Sequence, residues 1–207
     1  ARGALTGADY IITTIRAGGD AGRLFDEKTC LAHGVLGQET TGAGGFAMAI
    51  RSVPTLVYYC TLAREVSNPG HLIFNFTNPS GIITQALRSC GFANVYGICD
   101  APSGFIKQLE EILNVPYGAL DIECYGLNHL SWFRNAKLDG RDVQEELLNN
   151  PRTYQHSEMR LFTREMARLS GECMLNEYLY FYYRREKSLS MVQKAEHPRG
   201  EMIYLFN

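Results

Sequence analysis

Little in this sequence points to a membrane, a secretory route or a nucleic acid. Its longest apolar run, VPTLVYYCTL at 53–62, is shorter than a bilayer crossing requires and opens on Pro54. The first ten residues lack the charged-then-apolar pattern of a secretory signal. No block of like charge occurs: 20 Lys and Arg stand against 22 Asp and Glu, so neither a nucleic-acid track nor an anionic lipid surface is indicated. Small neutral or mildly anionic ligands suit such a surface better. Six cysteines (30, 60, 90, 99, 124 and 173) show no CxxC spacing, which argues for reduced, mostly buried thiols of a cytoplasmic protein and against a disulfide framework. The Asn75-Phe76-Thr77 sequon sits in a strand-like apolar run and is discounted. A phosphate loop, a GxSxG elbow, an HExxH helix and an EF-hand loop are all missing. The glycine cluster GAGG at 42–45 does not follow a strand, so it is no dinucleotide fingerprint.

What is present is ordinary globular material, 45% hydrophobic over 207 residues, enough for one large domain or one and a half small ones. The spacing predicts a buried strand over 9–16, a helix over about 46–66 interrupted or kinked near Pro54, a short strand over 71–77, a helix over 80–90, a third short strand at NVYGIC and a helix through SGFIKQLEEIL. Strand and helix alternate, and the strands are short and apolar without polar alternation. That pattern belongs to an α/β fold with a parallel, Rossmann-like sheet and helices on both faces. After about residue 119 the texture changes to longer, more polar strands with a turn at Asp139-Gly140, as in an antiparallel pair. From 141 to 187 the chain reads as helical and rich in aromatics, with NEYLYFYY near its end.

Ligands of open parallel sheets bind at the carboxyl ends of the strands, where loops and free helix N–H groups converge. Three polar clusters fall at such ends: TTIR at 13–16, NFTNPSG at 75–81 and ICDAP at 98–102. Cys99 taken alone reads as a buried thiol at a strand end, and His129 as a half-buried structural histidine. If the second substructure folds over the sheet edge, thiolate and imidazole could instead meet on one divalent metal, leaving positions open for substrate oxygens. Asp100 is a carboxylate that needs a partner or a cation. The tyrosines at 178–183 read first as a packed aromatic face, although a tyrosine near a metal can act as a base.

Taken together, ITTIRAGG, GVLGQETTGAGGF, NFTNPSG, GICDAP, YGLNHLSW and NEYLYFYY resemble glycoside hydrolase family 4, across nearly the whole chain and in the family's order. The resemblance implies a lactate/malate dehydrogenase-like fold and an NAD- and metal-dependent 6-phospho-glucosidase. It implies cleavage by redox elimination: hydride leaves C3 for NAD, the ketone acidifies the C2 proton, a base removes it, and the glycosidic oxygen departs. Cys99 and His129 would then be the metal ligands, for Mn2+ in most of the family, Tyr178 the C2 base and Asp100 the acid at the leaving group. Thr14, Asn75 and Asn78 would touch the cofactor. Asn78 and Asn128 would also touch sugar hydroxyls, and Arg23 and Arg199 would hold the 6-phosphate. The substrate would be a phosphorylated disaccharide or glucoside 6-phosphate, and the assembly a homo-dimer or homo-tetramer. CDAP resembles the CDMP type of 6-phospho-α-glucosidases more than the CNVP type of β-enzymes, a slight lean to α-linked substrates. Residues 1–118 are expected to be the second part of the NAD-binding domain, its first Gly-rich half absent, and 119–207 part of an α+β substrate and metal domain. The sequence thus resembles an internal portion of a longer enzyme, and Leu175 departs from the proline that several members carry there. Two rivals stand beside this reading: an NAD-dependent 2-hydroxy acid dehydrogenase of lactate/malate type, which needs no metal, and a non-catalytic sugar-phosphate-binding fragment.

Overall fold

The computed structural model describes residues 1–195 and 199–206, in the order α1 (Arg2–Leu5), β1 (Tyr10–Thr13), α2 (Gly19–Ala32), α3 (Gly42–Val66), β2 (Leu72–Asn75), α4 (Ser80–Ser89), β3 (Val95–Gly97), α5 (Ala101–Leu113), β4 (Leu120–Leu127), β5 (Leu130–Leu138), β6 (Arg141–Asp142), α6 (Gln144–Asn149), α7 (Thr153–His156), a 3₁₀ turn (Glu158–Leu161), α8 (Arg164–Leu169), β7 (Met174–Leu175), α9 (Glu177–Tyr183), α10 (Arg185–Gln193) and α11 (Arg199–Phe206). It divides into two compact units, Ala1–Cys99 with Glu186–Asn207, and Asp100–Arg185. The change-over at 99/100 precedes the boundary of 118/119 expected from the change of texture.

In the first unit, β1, β2 and β3 form a parallel sheet in that order, with Thr13 beside Asn75 and Asn75 beside Gly97 at their carboxyl ends. One face is packed by α3 and α4: Leu56, Cys60 and Ala63 meet Ile83, Leu87, Ile73 and Val95, all buried. Each fully buried Leu or Ile contributes about 2 kcal/mol here. The other face carries Tyr10, Phe74 and Tyr96 in a row, with ring centroids 6.5 and 6.2 Å apart, and Tyr10 and Ile12 are exposed.

Several expectations are corrected. The first strand ends at Thr13, because Ile15 N–H leaves the ladder for Thr77 Oγ1 at 3.1 Å and Arg16 turns to Glu39 and Asp20. The helix α2, which the sequence reading passed over, follows at once from a left-handed Gly18. Helix α3 begins earlier than expected and runs unbroken through Pro54. Its length and composition suffice to cross a membrane, unlike the ten-residue run read from sequence, but Met48, Leu56, Cys60 and Ala63 along it are core residues. Its glycine-rich start serves close packing: a Cβ on Gly42 would lie 2.7 Å from the Leu36 carbonyl. None of the six cysteines is in a disulfide; Cys30, Cys60 and Cys173 are buried, whereas Cys90 and Cys124 are exposed.

In the second unit, β4 and β5 form an antiparallel hairpin whose tight turn is Asn128-His129. The expected turn at Asp139-Gly140, with φ of 50° and 79°, joins β5 to the short β6 in a second antiparallel pair. On the same edge of β5 as β6, away from β4, β7 pairs with Trp132 and Phe133. The core of this unit is set by Phe105 of α5 standing edge-on to Phe133, centroids 4.8 Å apart, both fully buried. Buried Glu110 ties α5 to β4 by accepting from Gly118 N–H and Leu120 N–H at 2.8 and 3.0 Å.

Candidate functional site

At the carboxyl ends of the parallel strands the organising side chain is Asn75. Its Oδ1 accepts from Thr13 Oγ1 at 2.9 Å and Thr77 N–H at 3.2 Å, while its Nδ2 donates to Thr77 O and Thr84 Oγ1, each at 3.2 Å. Asn75 is fully buried and its amide is saturated within the unit, so its side chain shapes the loop from within. The same burial accords with discounting the sequon. Thr14 is exposed just beyond β1, and Asn78 is half-buried at the cis Asn78–Pro79 bond; these two remain available.

The same unit gathers the two arginines expected to hold phosphate. Arg23 is buried and pairs through Nη1 with Glu39 at 3.2 Å, and Arg16 joins Glu39 through Nε at 2.7 Å. Among the described residues the Arg23 Nε has no hydrogen-bond partner. Glu27, also buried, accepts from Gly200 N–H at 2.5 Å. Burial pushes its carboxyl up, against the Gly200 N–H and the charges of Arg23 and Arg199, so both arginines share its surroundings. A buried guanidinium with a spare donor suits an anion with several acceptor oxygens. Of the residues that lead into Arg199, 196–198 lie outside the described residues.

In the second unit the hairpin turn puts His129 at φ 60°, a conformation histidine adopts at some cost and one that recurs at functional sites. The imidazole stacks on the Tyr178 ring, centroids 4.8 Å apart and planes 26° from parallel. Tyr178 sits in the first turn of α9, capped by Asn176, whose side chain accepts from Tyr178 N–H at 3.2 Å. Glu158 lies behind them; burial raises its carboxyl, opposed by the Glu177 N–H and by the nearby His129 and Arg160. Asn128 is exposed beside His129 in the turn. Asp100 is exposed at the start of α5 and lines an open cavity of about 420 Å³ with Ser103, Gly104, Lys107 and Tyr117. The structure therefore brings His129, Asn128 and Tyr178 together in one unit, and Arg23 with Arg199 in the other. Cys99, half-buried, closes the first unit and Asp100 opens the second. Among the described residues no group of three or more His, Cys, Asp or Glu side chains is arranged to hold a metal.

Sequence reasoning missed Glu27, Glu39, Glu158 and Asn176. Asn176 had a signal, an N-cap residue directly before an aromatic helical run. The three glutamates had none, because each acts on groups brought to it only by folding.

Comparison with known proteins bears on this geometry. The family model described as "Family 4 glycosyl hydrolase" matches residues 1–115, and its "C-terminal domain" model matches 124–205. A 6-phospho-beta-glucosidase of Thermotoga maritima is 34% identical over 97% of this chain and 48% of its own length. A 6-phospho-alpha-glucosidase of Lacticaseibacillus paracasei is 35% identical over 70% of this chain and 33% of its own. The solved structure of a Thermotoga maritima 6-phospho-beta glucosidase with manganese, NAD+ and glucose-6-phosphate superposes with a TM-score of 0.87 at 33% identity, over 99% of this chain and 49% of that one. The chain spans about half the length of the curated relatives it matches.

Proposed function

The chain belongs to family 4 of the glycosyl hydrolases, and from that premise we propose that the whole protein is a cytoplasmic, oligomeric 6-phospho-glucosidase that cleaves its substrate by redox elimination. Relatives acting on both anomers match at similar identity, 34% and 35%, and the lean to α-linked substrates rests on Asp100-Ala101-Pro102 after Cys99. Nothing among the comparisons favours the 2-hydroxy acid dehydrogenase reading. The domain division is kept as a nucleotide portion over 1–118 and a substrate and metal portion over 119–207.

The residues present fit the implied groups. Sulfur and imidazole donors leave coordination positions open for sugar oxygens, and the Nε of buried Arg23, unpartnered among the described residues, suits a phosphate oxygen. When bound, NAD would supply a hydride acceptor beside Thr14 and Asn78, and a divalent metal, Mn2+ by family habit, would take Cys99 and His129 as ligands and would supply Lewis acidity. Arg23 and Arg199 bind the 6-phosphate and fix the sugar's position. Asn78 and Asn128 donate to its hydroxyls. Tyr178 accepts the C2 proton, and Asp100, open to water at the start of α5, delivers a proton to the departing oxygen.

The observation that carries this reading is the stack of His129 on Tyr178, which sets a metal-ligating type of side chain against a base within one turn and one helix end. The test is release of p-nitrophenol from the α- and β-glucoside 6-phosphates by the full-length protein, with and without NAD and manganese. Turnover is expected only with both present, and Cys99→Ser should abolish the manganese response. Undiminished turnover after chelation and removal of NAD would refute the proposal, and an unchanged manganese response in Cys99→Ser would remove that thiol from the site.

A further inference from the structure

The mechanism above does not use the half-buried carboxylate of Glu158. Glu158, in the 3₁₀ turn that precedes α8, reaches the cap of α9 eighteen positions further along the sequence. Its Oε2 accepts from Asn176 Nδ2 at 2.5 Å and from Glu177 N–H at 3.1 Å. The first of these holds the side chain that caps Tyr178 N–H; the second satisfies the free amide of the helix's first residue. The clamp is braced on both sides: Leu175 N–H approaches Met159 Sδ at 3.0 Å, and Arg160 pairs with Glu177 at 2.7 Å. Asn176 N–H in turn donates to Ser131 O at 3.0 Å, which pins the cap to the strand that leaves the His129 turn. Every contact in this chain lies within the second unit.

We propose that Glu158 is a positioning residue: through the Asn176 cap it fixes the first turn of α9, and thereby holds the Tyr178 ring flat against His129 with its phenol set for proton removal from the substrate. A short helix does not order its own first turn in water, since its leading N–H groups have no partners within it. Here one carboxylate supplies an acceptor for the first amide and orients the cap for the second. An error of an ångström at a base is enough to slow proton transfer, whereas binding of the sugar phosphate, carried by other residues, is not touched. The inference rests on Tyr178 being the base, and the experiment separates the two ideas.

In the full-length protein, Glu158→Ala is expected to lower kcat about tenfold or more with KM within about twofold, and to enlarge the isotope effect with substrate deuterated at C2. Glu158→Gln keeps an oxygen acceptor for both N–H groups and is expected to stay within about threefold of the parent. A readout independent of turnover is the His129 ring proton signal in protein carrying labelled histidine, assigned with His129→Asn. Stacking displaces it upfield; the displacement should persist in Glu158→Gln and collapse in Glu158→Ala. Should Glu158→Ala not fold, Asn176→Asp, which keeps the cap but sets two carboxylates face to face, carries the same expectation. Tyr178→Phe is run in parallel. If it keeps full kcat, the assignment of the base fails whatever Glu158 does. If it loses kcat while Glu158→Ala and Asn176→Asp keep both kcat and the ring-proton displacement, the positioning role is overturned.

Discussion

Replacing Asn75 with alanine should cost about 3–5 kcal/mol of stability, a large share of what an ordinary domain has. The figure follows from what the amide leaves behind. Thr77 N–H and Thr13 Oγ1 are buried and lose their acceptor, at about 1–2 kcal/mol each. Thr77 O loses a donor at similar depth, and half-buried Thr84 Oγ1 regains water, together adding about 1 kcal/mol. The assay is urea denaturation of the full-length protein, followed by circular dichroism, with the denaturant slope unchanged and the midpoint shifted. Nicotinamide affinity, measured by fluorescence titration well below the unfolding midpoint, should weaken only as far as the loop at Thr77–Asn78 loosens. A stability loss under about 1 kcal/mol, accompanied by a large loss of NAD affinity, would refute the argument, because it would make Asn75 a solvent-accessible ligand and not the lock of the strand ends.

His129→Gly should change unfolding free energy by no more than about 1 kcal/mol, since relief of the left-handed backbone offsets the lost stack on Tyr178, while turnover disappears; a severe loss of stability would contradict this. Burial pushes the Cys60 thiol up to about 11, so at pH 8 only about 0.1% is thiolate. A disulfide reagent should therefore modify exposed Cys90 rapidly and Cys60 only on unfolding, and equal rates would refute the burial. Glu27 has its folded carboxyl raised above 4.5, so the folded state binds the extra proton and the group's contribution to stability falls as pH rises above that value. Glu27→Gln should remove that decline, gaining stability at pH 7 relative to pH 4 when thermal melts at the two are compared; a loss at pH 7 would show that the Arg23 and Arg199 charges outweigh the burial.

Much of this protein could be read from its residues in order. Short apolar runs without polar alternation, interleaved with helices, pointed to a parallel sheet, although one face of it carries Tyr10 and Ile12 exposed. The polar clusters at their ends located the region where ligands bind in such folds, and Asn176 was legible as a helix cap. The turn at Asp139-Gly140 was legible because it is a strong local signal, whereas the turn at Asn128-His129 was not, since it is held by pairing along β4 and β5 and by the stack on Tyr178. Helix α2 escaped notice because its charges are satisfied by distant partners: Asp26 by Arg51, Arg23 by Glu39 and Glu27 by Gly200. Asn75 looked like a ligand from its place after an apolar strand, and only folding surrounds its amide with Thr13, Thr77 and Thr84. Sequence determines which chemistry lies at which strand end or turn, since backbone periodicity and turn preference are local. Which of those groups face one another, and which are consumed in holding the others still, is decided by packing across long stretches of chain, as Glu158 at the foot of α9 illustrates.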